Sequence, residues 1–253
     1  MNNPSFSSWE IGANGLLYDY SENKYPTKLY AWDRDYSFVQ GQDSKTYFGY
    51  VYEGNATIMT IQGAFTLGSG MYFSLNKDFN ILGGRGIVIE RVGEKGINML
   101  GGAIEKIGRL NYIDGCTDSL LIPPVLKGYS CLNHLHFPEK IDQTMHTHPS
   151  MRVGMVAKGS GNCITPFGEI ELFTGQIFII HEKTGKKSKG KDGFLYLDGS
   201  HCFQTFDKTM DVIAFHPDSD FGPEHEEHPM INRTIVDGVS AKNLKEIQSD
   251  VIK

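Results

Sequence analysis

Short apolar runs, set between turn signals, recur along most of this chain and leave little room for anything but β-sheet. They fall at residues 47–55, 56–67, 71–75, 85–93, 132–137, 152–162, 175–180, 194–199, 201–206 and 210–215. Runs of this length, rich in aromatic and β-branched residues and separated by turn signals, predict an all-β sandwich or barrel. A helical period emerges only near the C-terminus, where Leu244, Ile247 and Val251 follow Ser240 as a cap. That spacing predicts a short terminal helix.

The pattern also repeats. Gly49, a strand, Gly54, a turn and then Gly70-Met-Tyr-Phe parallel Gly154, a strand, Gly159, a turn and then Gly175-Gln-Ile-Phe. At 253 residues the chain is long enough for two domains. The repeat predicts two tandem barrels, 1–122 and 123–253, divided at Ile122-Pro123-Pro124 because proline cannot continue a central ladder.

Charge and cysteine usage narrow the partners. A formal charge of −6 removes the overall attraction that drives nucleic-acid binding. No stretch of eighteen apolar residues and no basic opening followed by an apolar run is present, so no membrane span or leader is expected. Cys116, Cys131, Cys163 and Cys202 are scattered without metal-type spacing and read as reduced, buried thiols. The expectation is a cytoplasmic protein with a small-molecule substrate, open to forming a homodimer.

All nine histidines lie between His134 and His228. In a strand, alternate side chains share a face, so His146 and His148 can converge on one ion. His201, just after the Gly199 turn, is the candidate third group, with His181 as its rival. Three neutral imidazoles suit iron, zinc, nickel or copper better than calcium or magnesium. His134 and His136 repeat the alternation on a neighbouring strand and are candidates to face the same cavity. Arg152 could clamp a carboxylate at its mouth. His216 could reach the rim, within a polar segment, 215–229, that holds further possible ligands. Lysines 183, 186, 187, 189 and 191 mark a solvated hairpin or a lid over an anionic substrate.

From Met145 to Phe203 the chain resembles the cupin superfamily. The first motif of that family reads here as His146-Thr-His148 running on to Gly159, and the second as Gly175-Gln-Ile-Phe-Ile-Ile followed, across an insertion at 182–193, by Asp198-Gly-Ser-His201. The resemblance implies jelly-roll barrels, with His146, His148 and His201 as metal ligands. Two departures stand out. Arg152 and Val153 occupy the place of the usual glutamate ligand, and the proline before the second-motif turn is missing. In the first half Gly41 and Asp43 stand where the histidine pair would be, so the N-terminal barrel resembles a degenerate cupin without metal. The resemblance implies a bicupin holding one divalent transition metal, Fe(II) first and Zn, Ni or Mn next, in a three-histidine dioxygenase or oxygenase. The substrate expected is a small polar or carboxylate-bearing molecule, with Arg152, His134 and His136 fixing it. A non-redox isomerase, epimerase or lyase using a Lewis-acid metal is the alternative, and a noncatalytic ligand-binding bicupin is the third.

Overall fold

The computed structural model describes residues 3–10, 12–33, 35–38, 44–218, 235–236 and 238–240. Among these the only helical turn is a 3-10 turn at Ile113–Gly115, and no helix is long and apolar enough to cross a membrane. The expected C-terminal helix lies outside the described residues, as do Gly41 and Asp43. Residues 221–253 form a unit of their own, in which Ile235–Val236 pairs with Val239–Ser240.

Residues 1–220 make one compact β unit. A six-stranded sheet runs in the order Met99–Gly101, Tyr72–Leu75, Lys45–Glu53, Arg85–Val92, Thr27–Trp32, Gly15–Asp19. One of its faces shares a core with a four-stranded sheet, Tyr36–Phe38, Phe79–Leu82, Ala56–Thr60, Gly63–Leu67. A nine-stranded sheet follows the path Phe6–Trp9, Ile177–Ile180, Arg152–Thr165, Met210–His216, Cys131–Phe137, Thr117–Ile122, Leu110–Asn111. Gly168–Phe173 and Cys202–Gln204 pair with the far half of the long strand Arg152–Thr165, which folds this sheet over on itself as in a β jelly-roll.

The central strands read as unbroken apolar runs because both of their faces are buried. In Lys45–Glu53, Tyr47 and Val51 enter one core while Phe48 and Tyr50 enter another. In Met210–His216, Met210, Val212 and Ala214 line the interior of the folded sheet, whereas Ile213 and Phe215 point out of it. The outward residues of the six- and nine-stranded sheets meet in a shared core, where the Phe48 and Phe215 rings lie 5.1 Å apart. Each such side chain, fully removed from water, contributes about 1.5–3 kcal/mol.

The repeat seen in the sequence holds down to single hydrogen bonds. Gly70 N–H donates to the Val51 carbonyl and Val51 N–H to that of Met71, while Gly175 donates to Val156 and Val156 to Gln176. Gly54, Gly70, Gly159 and Gly175 all have positive φ, which explains why glycine recurs there. In each copy a phenylalanine ring lies flat across the remaining glycine, Phe73 over Gly49 and Phe178 over Gly154. A Cβ at Gly154 would sit 2.2 Å from the Phe178 ring. Gly154→Ala is therefore expected to lower stability by about 1–3 kcal/mol in urea denaturation. In a Phe178→Ala background, itself destabilised by loss of the buried ring, the same Gly154→Ala change should cost much less.

Sheet membership does not change at 122/123. Thr117–Ile122 and Cys131–Phe137, on either side of that line, are hydrogen-bonded neighbours. The change falls between Gly101 and Leu110, and Phe6–Trp9 from the N-terminus crosses over to pair with Ile177–Ile180. A proline pair marks where a ladder ends but not which sheet the preceding strand joins.

Candidate metal centre

The structure brings His146, His148 and His201 together. One ring nitrogen from each lies within 4.8 Å of the others, and ring centroids are separated by 5.0 Å (146 to 148), 4.4 Å (146 to 201) and 5.1 Å (148 to 201). The pair does not stand on a regular strand as its spacing suggests. Residues 142–148 are irregular, touching the sheet through single bridges from Asp142 to Gln204 and from His146 to His201. Those two bridges lay the segment along the edge of Cys202–Gln204. His146 and His201 exchange both backbone hydrogen bonds, at 2.9 and 3.0 Å, which sets their side chains next to each other.

Two of the imidazoles are oriented by the same device. His146 Nδ1–H donates to the Thr144 carbonyl at 2.8 Å and His201 Nδ1–H to the Gly199 carbonyl at 2.9 Å. Each bond fixes the tautomer and leaves the Nε2 lone pair free. Burial pushes His148 down to about 2, helped by the positive charge of Arg152, and pushes His201 down to about 3. Both are therefore neutral at physiological pH, as a metal-binding imidazole must be. This donor set fits a divalent transition metal with open positions.

A further group stands behind His146. Asp114, at φ 54° within the 3-10 turn, accepts the Thr144 N–H at 2.7 Å, and Thr144 in turn holds His146. Asp114 is thus a positioning residue for His146. Asp114→Ala is expected to weaken Co(II) or Zn(II) binding about 10–100-fold, with Asn restoring most of it. Equilibrium dialysis reads this directly.

The cavity beside the triad is walled by Phe137, Phe178, Phe203 and other apolar side chains, with Tyr112, Arg152 and His216 as its remaining ionisable groups. Free room is small, about 30 Å³. Arg152 is held by Asp218 at 3.0 Å and by the Ser150 hydroxyl and the Ser150 and Met151 carbonyls, all through Nη1. Nothing in the sequence singled out Asp218 as its partner, since the two are far apart along the chain.

His134 and His136 do not face this cavity. On Cys131–Phe137 it is Leu135 and Phe137 that line it, so strand alternation turns both histidines to the opposite face. There they are buried and share one oxygen of Asp211, at 2.9 and 2.8 Å. Burial alone would raise the Asp211 carboxyl, but the bonds from these two imidazoles hold it below its usual value. The expectation that they contact substrate is corrected: spacing gave the right face relation within the pair but not the side of the sheet. His181, the rival third ligand, bonds Ser7 and Tyr20 instead. The insertion forms a hairpin of Lys187–Lys189 and Leu195–Leu197, tied at its base by Asp198 to Thr184 and Gly185. All four cysteines are buried. His225 and His228 lie outside the described residues.

In the first half the corresponding interior is filled by Trp32, Phe38, Tyr47, Phe73 and Phe79, which leaves no comparable polar site among the described residues.

No family model matches the sequence, and no curated protein matches it. Solved structures do. A Cupin 2 conserved barrel domain protein from Leptotrichia buccalis aligns over 86% of this chain and 91% of its own, at TM-score 0.53 and 12% identity. Protein Ylba from E. coli aligns over 89% and 95%, at TM-score 0.54 and 14% identity. A salicylate 1,2-dioxygenase from Pseudaminobacter salicylatoxidans aligns over 85% of each chain, at TM-score 0.55 and 8% identity. At such identities the likeness concerns the fold alone.

Proposed function

We propose that this chain, which has the cupin fold, is a metal-dependent enzyme in which His146, His148 and His201 hold one divalent transition metal, Fe(II) foremost, for an oxygenase or dioxygenase reaction on a small polar or carboxylate-bearing molecule. The observation that carries it is the convergence of three imidazoles, two of them tautomer-locked, on an apolar cavity that contains no carboxylate ligand. Bound there, such an ion supplies open coordination positions and one-electron chemistry. The rest is done by the chain. The aromatic walls exclude water, which strengthens every polar contact inside. The Thr144 and Gly199 carbonyls hold two of the imidazole planes, and Arg152 stands ready to orient an acidic substrate. The structural neighbour named as a salicylate 1,2-dioxygenase supports the reading at the level of fold.

Anaerobic reconstitution with Fe(II), followed by an oxygen-uptake screen over small aromatic and thiol acids, tests the proposal. Substrate-dependent uptake is expected, and none with any acid would count heavily against it. Three imidazole donors also suit zinc, which keeps a Lewis-acid isomerase, epimerase or lyase as the second reading. Metal analysis of protein purified without added metal separates the two, because zinc rather than iron at full occupancy favours the second.

A further inference from the structure

We infer that Arg152 and His216, which line the same cavity as the three histidines, make a carboxylate subsite, so that the substrate is a small carboxylate whose acid group sits there while its other end faces the triad. The inference rests on the metal-centre reading above and narrows it.

The two sets of groups are placed by the sheet. His146 and His201 come from the short-strand side, where residues 142–146 edge Cys202–Gln204. Arg152 and His216 come from the large sheet. Val153 pairs with Phe215, so Arg152 and His216 occupy the next rung, at the ends of two neighbouring strands. Both line the cavity, as Val212 and Ala214 do from the same strand face. A molecule bound in the cavity meets both sets of groups.

The polar groups of this subsite are only half used. Arg152 Nη1 is tied to four acceptors, which fixes the guanidinium, yet its Nε is buried without a partner. Leaving a charged donor buried and unpaired is costly, and a ligand oxygen removes that cost. Among the described residues no group hydrogen-bonds the His216 ring, while burial, with Arg152 beside it, keeps the ring neutral and able to accept or donate. Preorganised donors of this kind give up little entropy on binding.

Charge points the same way. Arg152 and Asp218 cancel, and among the described residues no Asp or Glu lines the cavity, so a divalent ion in it lacks a counter-charge from the chain. An anionic ligand supplies it.

Protein loaded with Zn(II), which is redox-silent, is titrated calorimetrically with pyruvate and with pyruvamide, its uncharged counterpart. Pyruvate is expected to bind at least ten-fold more tightly. Arg152→Gln should erase that preference and His216→Asn should reduce it several-fold, both with full Zn(II) stoichiometry. Should Arg152→Gln fail to fold, Arg152→Lys, which keeps the charge and loses the fork, takes its place and is expected to weaken pyruvate but not pyruvamide. Full Zn(II) loading with equal affinity for the two ligands, or a preference that survives the Arg152 and His216 variants, overturns the subsite and leaves the metal centre standing. Absence of Zn(II) binding overturns the metal centre and the subsite together.

Discussion

His201→Ala should abolish stoichiometric metal binding, with affinity falling at least about a hundred-fold, or roughly 3 kcal/mol, whereas His181→Ala should leave it unchanged. Among the three imidazoles His201 is the most enclosed, at 1% exposure, and its ring lies 4.4 and 5.1 Å from the other two. Its backbone bonds to His146 mean that the pair is positioned as a unit. With alanine in its place two imidazoles remain, and the cavity offers no carboxylate to replace the third. His181 is turned away, bonded to Ser7 and Tyr20, so its removal costs about 1 kcal/mol of stability through those hydrogen bonds and nothing at the metal. Competitive titration with Co(II) distinguishes the two variants. Equal losses would mean that the histidines had been wrongly sorted.

What the sequence made legible was whatever depended on local pattern. The glycines at 49, 54, 70, 154, 159 and 175 betrayed the repeat because positive φ, or a phenylalanine ring lying across the backbone, admits little else. The alternation in 146 and 148 and the glycine turn before 201 picked out the triad across an insertion. What stayed hidden depended on which side of a sheet a strand presents. His134 and His136 share a face in any strand, but only the pairing of Cys131–Phe137 with Met210–His216 shows that face to be the Asp211 side. Asp114 gave little sign of its role, since its bond to Thr144 spans a long loop closure, although an Asp-Gly pair does favour the left-handed turn it occupies. The irregular path of 142–148 was likewise invisible, because an alternating pair looks the same on a strand and on a bridged edge.

The same neutral imidazoles that suit a metal make the metal-free protein acid-sensitive. In the unfolded chain a histidine titrates near 6.5, whereas burial holds His201 at about 3 and His148 at about 2 in the folded state. Below pH 6.5 the unfolded state therefore binds more protons than the folded one. Stability is fully present above that pH and is lost as pH falls toward the folded values. At pH 4.5 His201 alone should remove about 2 to 3 kcal/mol relative to pH 7.5, a large share of the stability of an ordinary domain. Asp211, held below its usual value, adds a loss of the same sign only below its unfolded value near 3.8. Urea midpoints of the metal-free protein at pH 7.5 and 4.5 measure the effect, and His201→Ala should remove its own share of it while His148, His181 and His216, also lowered by burial, keep theirs. Saturating Zn(II) should restore part of the loss at intermediate pH, because an ion that binds only the folded state stabilises it by mass action. Equal midpoints at the two pH values would mean that these rings are not held neutral by burial, and the case for a preformed three-imidazole site would fall with them.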